Sequence, residues 1–447
     1  MKTRLMLTLA LLVVSTASHA ADTLPERIED PAFWKLVETL SEESGTFQSD
    51  NLLSNETDFP YIMAELQRMA KSGGVFLGVG PEQSFNYIAA LHPKIAFIID
   101  IRRQNMLEHL MYKALFELSP DRASFVSRLF SRRQPAGLSG EATAAEIFDA
   151  FVDVPAESAL FRKNLADLEK VLIESRHFPI STDDRAYIEK VYDAFREFGP
   201  LINYNSAGGV GTRRFMPSYS ELMTAVDFKG QEWSYLASEA SYETVRNLEN
   251  RNLIVPVTGD FGGSRAIRGV GQYLKDHGAM VSAFYTSNVE GYLFQGGDRQ
   301  GNPNGGARRF YENVATLPLD DSSTFIRWVP GFSRNSGTIS IVLSPMQSTI
   351  DDFHEGRFTG ADLSQGNGFG YGLTFRNNVP AQRSIWVARL RVLFYSSWAL
   401  MGFLIRYFIW GSARTERFGS PRRILSSLAW GAGGFALALI LGVISRV

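Results

Sequence analysis

The stretch from Val75 to Asp100 constrains this chain more than any other. Val75-Phe76-Leu77 is a short apolar run that ends in Gly78-Val79-Gly80-Pro81. A helical pattern follows from Glu82 to Leu91 and closes at His92-Pro93. Ile95 to Ile99 is then continuously apolar and ends at Asp100. Strand, glycine turn, helix and strand in such close succession form a βαβ unit. Its two strands carry no polar alternation, as strands of a parallel sheet covered on both faces do.

The pattern resumes later in the chain. Gln104 to Leu118 reads as a helix with one apolar side, and Leu253 to Val257 reads as a strand that stops at Thr258-Gly259-Asp260. A helix over Ser264–His277 leads to a strand over Ala279–Tyr285, which ends in Thr286-Ser287-Asn288-Val289-Glu290. Thr338 to Leu343 suits a final edge strand. Between about 120 and 200 only the helical period occurs, which predicts a helical insertion. The expected fold class is α/β, a mostly parallel Rossmann-like sheet with that insertion. Its expected parts are a helical lead-in over 21–70, an α/β domain over 71–345, and a Gly-rich tether over 346–384.

Charge divides the chain. From Arg383 onward there are nine Arg against Glu416 alone, a balance of +8, and the first 382 residues carry 36 basic and 46 acidic groups, a balance of −10. An acidic body of that kind excludes a strongly basic nucleic-acid binder. The basic tail, 385–447, contains two apolar runs, 392–410 and 424–444, each long enough to cross a hydrocarbon core of about 30 Å. Arg414, Arg417, Arg422 and Arg423 lie between them, which predicts a transmembrane helical hairpin with a cytoplasmic loop. At the other end, Lys2 and Arg4 precede the apolar run Leu5–Val14 and the small-residue stretch ending at Ala20, the layout of a signal peptide over 1–20. Export and the hairpin place the body on the same side. The expectation is a periplasmic body anchored in the inner membrane. With no cysteine in 447 residues, disulfides, thiolate metal sites and Cys nucleophiles are excluded.

In open α/β sheets ligands bind beyond the carboxyl ends of the strands. The residues placed there are Gly78, Gly80 and Glu82 after the first strand, Asp100 and Arg102 after the second, Asp260 after the third, and Tyr285, Asn288 and Glu290 at the fourth. Val75 to Pro81, with Asp100 twenty positions beyond Gly80, resembles the Rossmann-type S-adenosylmethionine-dependent methyltransferases. The strand end Tyr285–Glu290 is also similar to that of a family of exported bacterial proteins. The methyltransferase resemblance implies S-adenosylmethionine as cofactor, with Gly78, Gly80 and Glu82 at its loop, Asp100 on the ribose, and Arg102 and Asp260 beside it. Tyr285, Asn288 or Glu290 would then stand near the reacting group.

Two positions depart from the family pattern: Phe76 replaces an acid, and Glu82 stands where a third glycine is usual. Asp100 would serve equally as the N-cap of the following helix. The topology also sets the body apart from the cytoplasm, where that cofactor is made. The leading expectation is therefore a methyltransferase-like domain that binds a small-molecule ligand or an envelope protein partner without methyl transfer. The alternatives are an active methyltransferase and a structural accessory docked through the helical insertion. No His, Asp or Glu spacing predicts a metal site.

Overall fold

A computed structural model describes residues 22–47, 49, 51–204, 206, 216–295, 305–329 and 340–360, all within the first of two units, Met1–Arg376. The expected signal peptide, both expected spans and most of the expected tether lie outside the described residues. Among the described residues no helix is long and apolar enough to cross a membrane.

The lead-in consists of α1 (Asp30–Leu40) and α2 (Pro60–Met69), each started by a proline in its first turn, where the missing N–H costs nothing. The residues between them are not helical. The first half of the sheet follows as β1 (Val75–Gly78), α3 (Gln83–Leu91), β2 (Ile95–Asp100) and α4 (Arg103–Leu118). The helical insertion comes next, with α5 (Arg122–Leu129), α6 (Ala144–Phe151), α7 (Ser158–Glu169) and α8 (Thr182–Phe198); Lys170–Ser175 extends α7 by a π-helical turn. Asp121, Thr143 and Ser181 start α5, α6 and α8 through reciprocal capping boxes. The short α9 (Tyr219–Met223) and α10 (Glu239–Asn250) lead to β3 (Ile254–Thr258), α11 (Ala266–Asp276), β4 (Val281–Ser287), α12 (Val289–Gln295), α13 (Gly305–Val314), β5 (Thr324–Trp328), β6 (Ile341–Pro345) and α14 (Met346–His354).

The six strands lie in the order β3-β2-β1-β4-β5-β6, all parallel except β6, which runs antiparallel to β5. Pro256 sits in β3, and an edge strand is where a residue without an N–H is tolerated. Two groups of helices cover the sheet: α3 and α4 each touch α10, and α11 touches both α1 and α13. The insertion is held to α4 by aromatic rings. Phe116 stacks on Phe125 with centroids 4.7 Å apart, and Tyr112 meets Phe195 edge-on at 6.0 Å.

Three expectations are corrected. The lead-in is interrupted by an extended segment over 41–58. The first nine residues of the expected tether form α14, because Met346, Thr349 and Ile350 are buried and Phe358 joins the core. Finally, β5 was not expected at all, since Arg327 interrupts an otherwise apolar run.

Candidate functional site

Strand order reverses at β1: the chain moves outward through β2 to β3, then returns to place β4 on the other flank of β1. The crevice beyond the carboxyl ends at this reversal is where such a sheet presents backbone N–H groups and helix N-termini to a ligand. Gly78 and Asp100 close β1 and β2, Gly80 and Asp260 lie two residues beyond β1 and β3, Asn288 follows β4, and Tyr285 lies within β4.

Gly78 is required by close packing. A Cβ there would stand 2.5 Å from the Ser84 hydroxyl oxygen and 2.8 Å from the Phe76 ring. Gly80 is required by its backbone, with φ at +75°. Its carbonyl accepts a hydrogen bond from His109 Nε2 on α4 at 2.9 Å, and burial pushes that imidazole down to about 4. His109 is therefore neutral near pH 7, and its other nitrogen, Nδ1, has no partner among the described residues. Asn105, one turn earlier on α4, has neither amide atom paired.

The segment 41–58 lies over this edge as a strap, and its contacts follow the order of the sheet. Above β3, the Glu42 N–H donates to the Thr258 carbonyl at 2.8 Å. The Glu42 carboxylate accepts from the Asp260, Arg265 and Ala266 N–H groups at 3.3, 2.6 and 3.0 Å, capping α11. Above β2, the Gly45 N–H donates to the Ile101 carbonyl at 2.8 Å, and the Ser49 carbonyl accepts from Arg102 Nη1 at 3.4 Å. Above β1, the Ser54 N–H lies 3.3 and 3.2 Å from the two carboxyl oxygens of Glu82. Above β4, Glu56 accepts a 2.5 Å hydrogen bond from the Ser287 hydroxyl. At the far end Asp58 accepts from the Ser340 N–H, just before β6, at 3.1 Å. Leu52 and Leu53 are buried beneath.

The candidate residues are consequently engaged. Asp100 is not a helix cap: one of its carboxylate oxygens accepts from the Arg102 N–H at 2.9 Å and from Arg102 Nε at 3.3 Å. Glu82 is fully buried, and burial pushes its carboxyl up to about 8, with the nearby Glu56 charge raising it further. Burial likewise raises Glu56 to about 7, against the lowering effect of its Ser287 hydrogen bond. Asp260 accepts from the Gly262 N–H at 2.9 Å. Glu290 lies apart from these. It forms a two-pronged ion pair with Arg327 at 2.7 and 2.8 Å, and also bonds Thr286 and Tyr311. Asn288 is half-buried.

With the strap in place these residues do not fit a nucleotide cofactor. Gly78 is closed off by Ser84 and Phe76, the Asp100 carboxylate is matched to Arg102, and a carboxyl occupies the head of α3. Among the described residues no group of three His, Asp or Glu is arranged to hold a metal. The residues that reading along the chain missed are those of the strap: Glu42, Ser49, Ser54, Glu56 and Asp58. Their only local signal is acidity between two helical patterns.

Among curated proteins no match is found. The model of a family described as a domain of unknown function, DUF7790, matches residues 52–338, well over half of the chain. That span takes in the second half of the strap with every parallel strand of the sheet, and on this extent the chain belongs to the DUF7790 family.

Proposed function

We propose that this chain is a membrane-tethered extracytoplasmic protein whose methyltransferase-like body works as a binding module and transfers no methyl group. The strap carries this reading, because it satisfies at the strand ends the groups that a cofactor would otherwise engage. Support for the methyltransferase-like fold comes from the central position of β1, the reversal beside it and the antiparallel edge strand. Support for the tether comes from the two apolar runs and the basic loop between them.

A thermal-shift measurement with S-adenosylmethionine and with its demethylated product tests the reading. A ligand at a hundred times its dissociation constant stabilises by about 2.7 kcal/mol, so binding would be evident. Neither compound is expected to shift the melting point, and a shift with either overturns the proposal. Reporter fusions after Gly372, Ser420 and Val447 test the tether, with outside, inside and outside expected. A cytoplasmic reporter at Gly372 would overturn it.

One observation favours a second reading, an active methyltransferase whose strap lifts. A Cβ at Gly80 would meet nothing within 4 Å beyond its chain neighbours, and the Asn105 amide and His109 Nδ1 are unpaired among the described residues. Buried polar atoms are ordinarily satisfied by protein, water or ligand, and a ligand that satisfied these would favour this reading. The same thermal shift separates the readings.

A further inference from the structure

A second space lies at the far end of the strap, away from the Gly80 loop. It is a pocket of about 180 Å³ between the strap and the ends of β5 and β6, lined among others by Glu56, Asp58, Met216, Trp328, Ser340 and Ile341. Its walls combine two kinds of chemistry. Trp328, Met216 and Ile341 supply an indole face, a thioether and an aliphatic group. Glu56 and Asp58 supply two carboxyl groups, and neither forms an ion pair among the described residues.

Glu56 is the informative residue. It is 4% exposed. One carboxyl oxygen takes the Ser287 hydroxyl, and the other, Oε2, has no partner among the described residues. The described groups around it are Tyr285 from β4, Tyr87 and Glu82 from α3 and its entrance, and Asp58 on its own segment. All of these are neutral or acidic. A buried carboxylate without a counter-charge is costly, and a cation in the pocket would relieve that cost. A small inorganic cation would leave the indole, thioether and aliphatic walls unused. An organic ammonium uses both, since its charge is attracted to carboxylates and to an aromatic face.

We propose that this pocket binds a small organic ammonium compound, with its cationic group at Glu56 and Asp58 and its apolar part against Trp328, Met216 and Ile341. Size narrows the class. A cavity of about 150 Å³ accommodates benzene, so the ligand has about seven non-hydrogen atoms. Choline and n-butylammonium are suitable probes. This deepens the binding role proposed above by naming a ligand class, but it uses a different part of the strand edge.

Calorimetric titration of the full chain with choline and with n-butylammonium is the test, beside the neutral analogues 3,3-dimethylbutan-1-ol and n-butanol. At least one cation should bind, and at least tenfold more tightly than its neutral analogue. Because Glu56 takes up a proton near pH 7, that affinity should rise about tenfold between pH 6 and pH 8. Glu56→Gln keeps the shape and the Ser287 contact, and should weaken binding at least tenfold and remove the pH dependence. Trp328→Leu should weaken it while leaving the pH dependence. Binding by neither cation, equal binding of a cation and its neutral analogue, or unchanged binding by a folded Glu56→Gln protein would each overturn the proposal. A shift with S-adenosylmethionine would overturn the closed-cleft reading and leave this pocket standing, so the two failures are distinguishable.

Discussion

Glu56 and Glu82 are buried carboxyl groups with no ion-pair partner among the described residues, which sets the direction of the protein's response to pH. An acid whose folded pKa is raised holds its proton longer in the folded chain than in the unfolded one. Its stabilising contribution is complete below the unfolded value and is lost as pH rises through the folded value. For Glu82 that loss extends to about pH 8, and for Glu56 to about pH 7. His109 acts oppositely, because its imidazole is pushed down to about 4 by burial and stability falls as pH drops below its ordinary value. The two effects offset one another in mild acid, and above it the carboxyls prevail. The melting point is therefore expected to fall from pH 6.5 to pH 8, with Glu82 alone contributing roughly 2 kcal/mol. Thermal denaturation of Glu82→Gln across that range checks this: its curve should be flatter, and an unchanged slope would refute the assignment.

Arg327 and Glu290 make the complementary case of a buried pair that is matched. Arg327→Met leaves the Glu290 charge without its partner and should cost about 3–5 kcal/mol in chemical denaturation. Adding Glu290→Gln to that variant should recover much of the loss. The environment of Glu290 was not legible in the sequence, because its partner lies 37 positions away on a strand that the same Arg327 had disguised. Gly78, Gly80 and Asp100 were legible because they sit inside one local unit, and a turn needs glycine wherever it occurs.

At the scale of elements, the chain announces its helices and central strands well, since periodicity and caps are local signals. Thr143 and Ser181 start their helices by capping N–H groups three residues further on. Extended segments without a period are a different matter. The strap lies within the stretch read as a helical lead-in, so nothing in it declares that it lies over the sheet. Its Glu42 replaces a conventional N-cap for α11, which has none of its own. Glu42→Ala should therefore cost about 1–2 kcal/mol, as lost caps do. Hydrogen exchange should show the Arg265 and Ala266 amides deprotected while those of β1 keep their protection. Uniform deprotection across the sheet would show that Glu42 supports more than one helix end.

For the whole molecule, the near-neutral total charge conceals two parts of the sequence with opposite charge, an acidic body and a basic tail. Five intervals between six strands amount to about 24 Å, whereas the sixteen residue steps from Glu42 to Asp58 reach about 50 Å when extended. The strap thus crosses the sheet with slack. A chain ending after 329 lacks β6, the antiparallel edge strand, and the Asp58 contact with Ser340. Its strap is expected to keep exchange protection near Glu42 and lose it near Asp58, and equal protection at both ends would contradict the sheet-ordered arrangement.

The strap also has a consequence in time. Its partners lie from 28 positions further along the chain, at Glu82, to 282, at Ser340, so part of the strap can settle on β1 and β2 while the rest waits for the second half of the sheet. Long loops must close before such contacts form. The strand ends are therefore sealed in stages, and the strap sets last where it meets β3, β4 and β6.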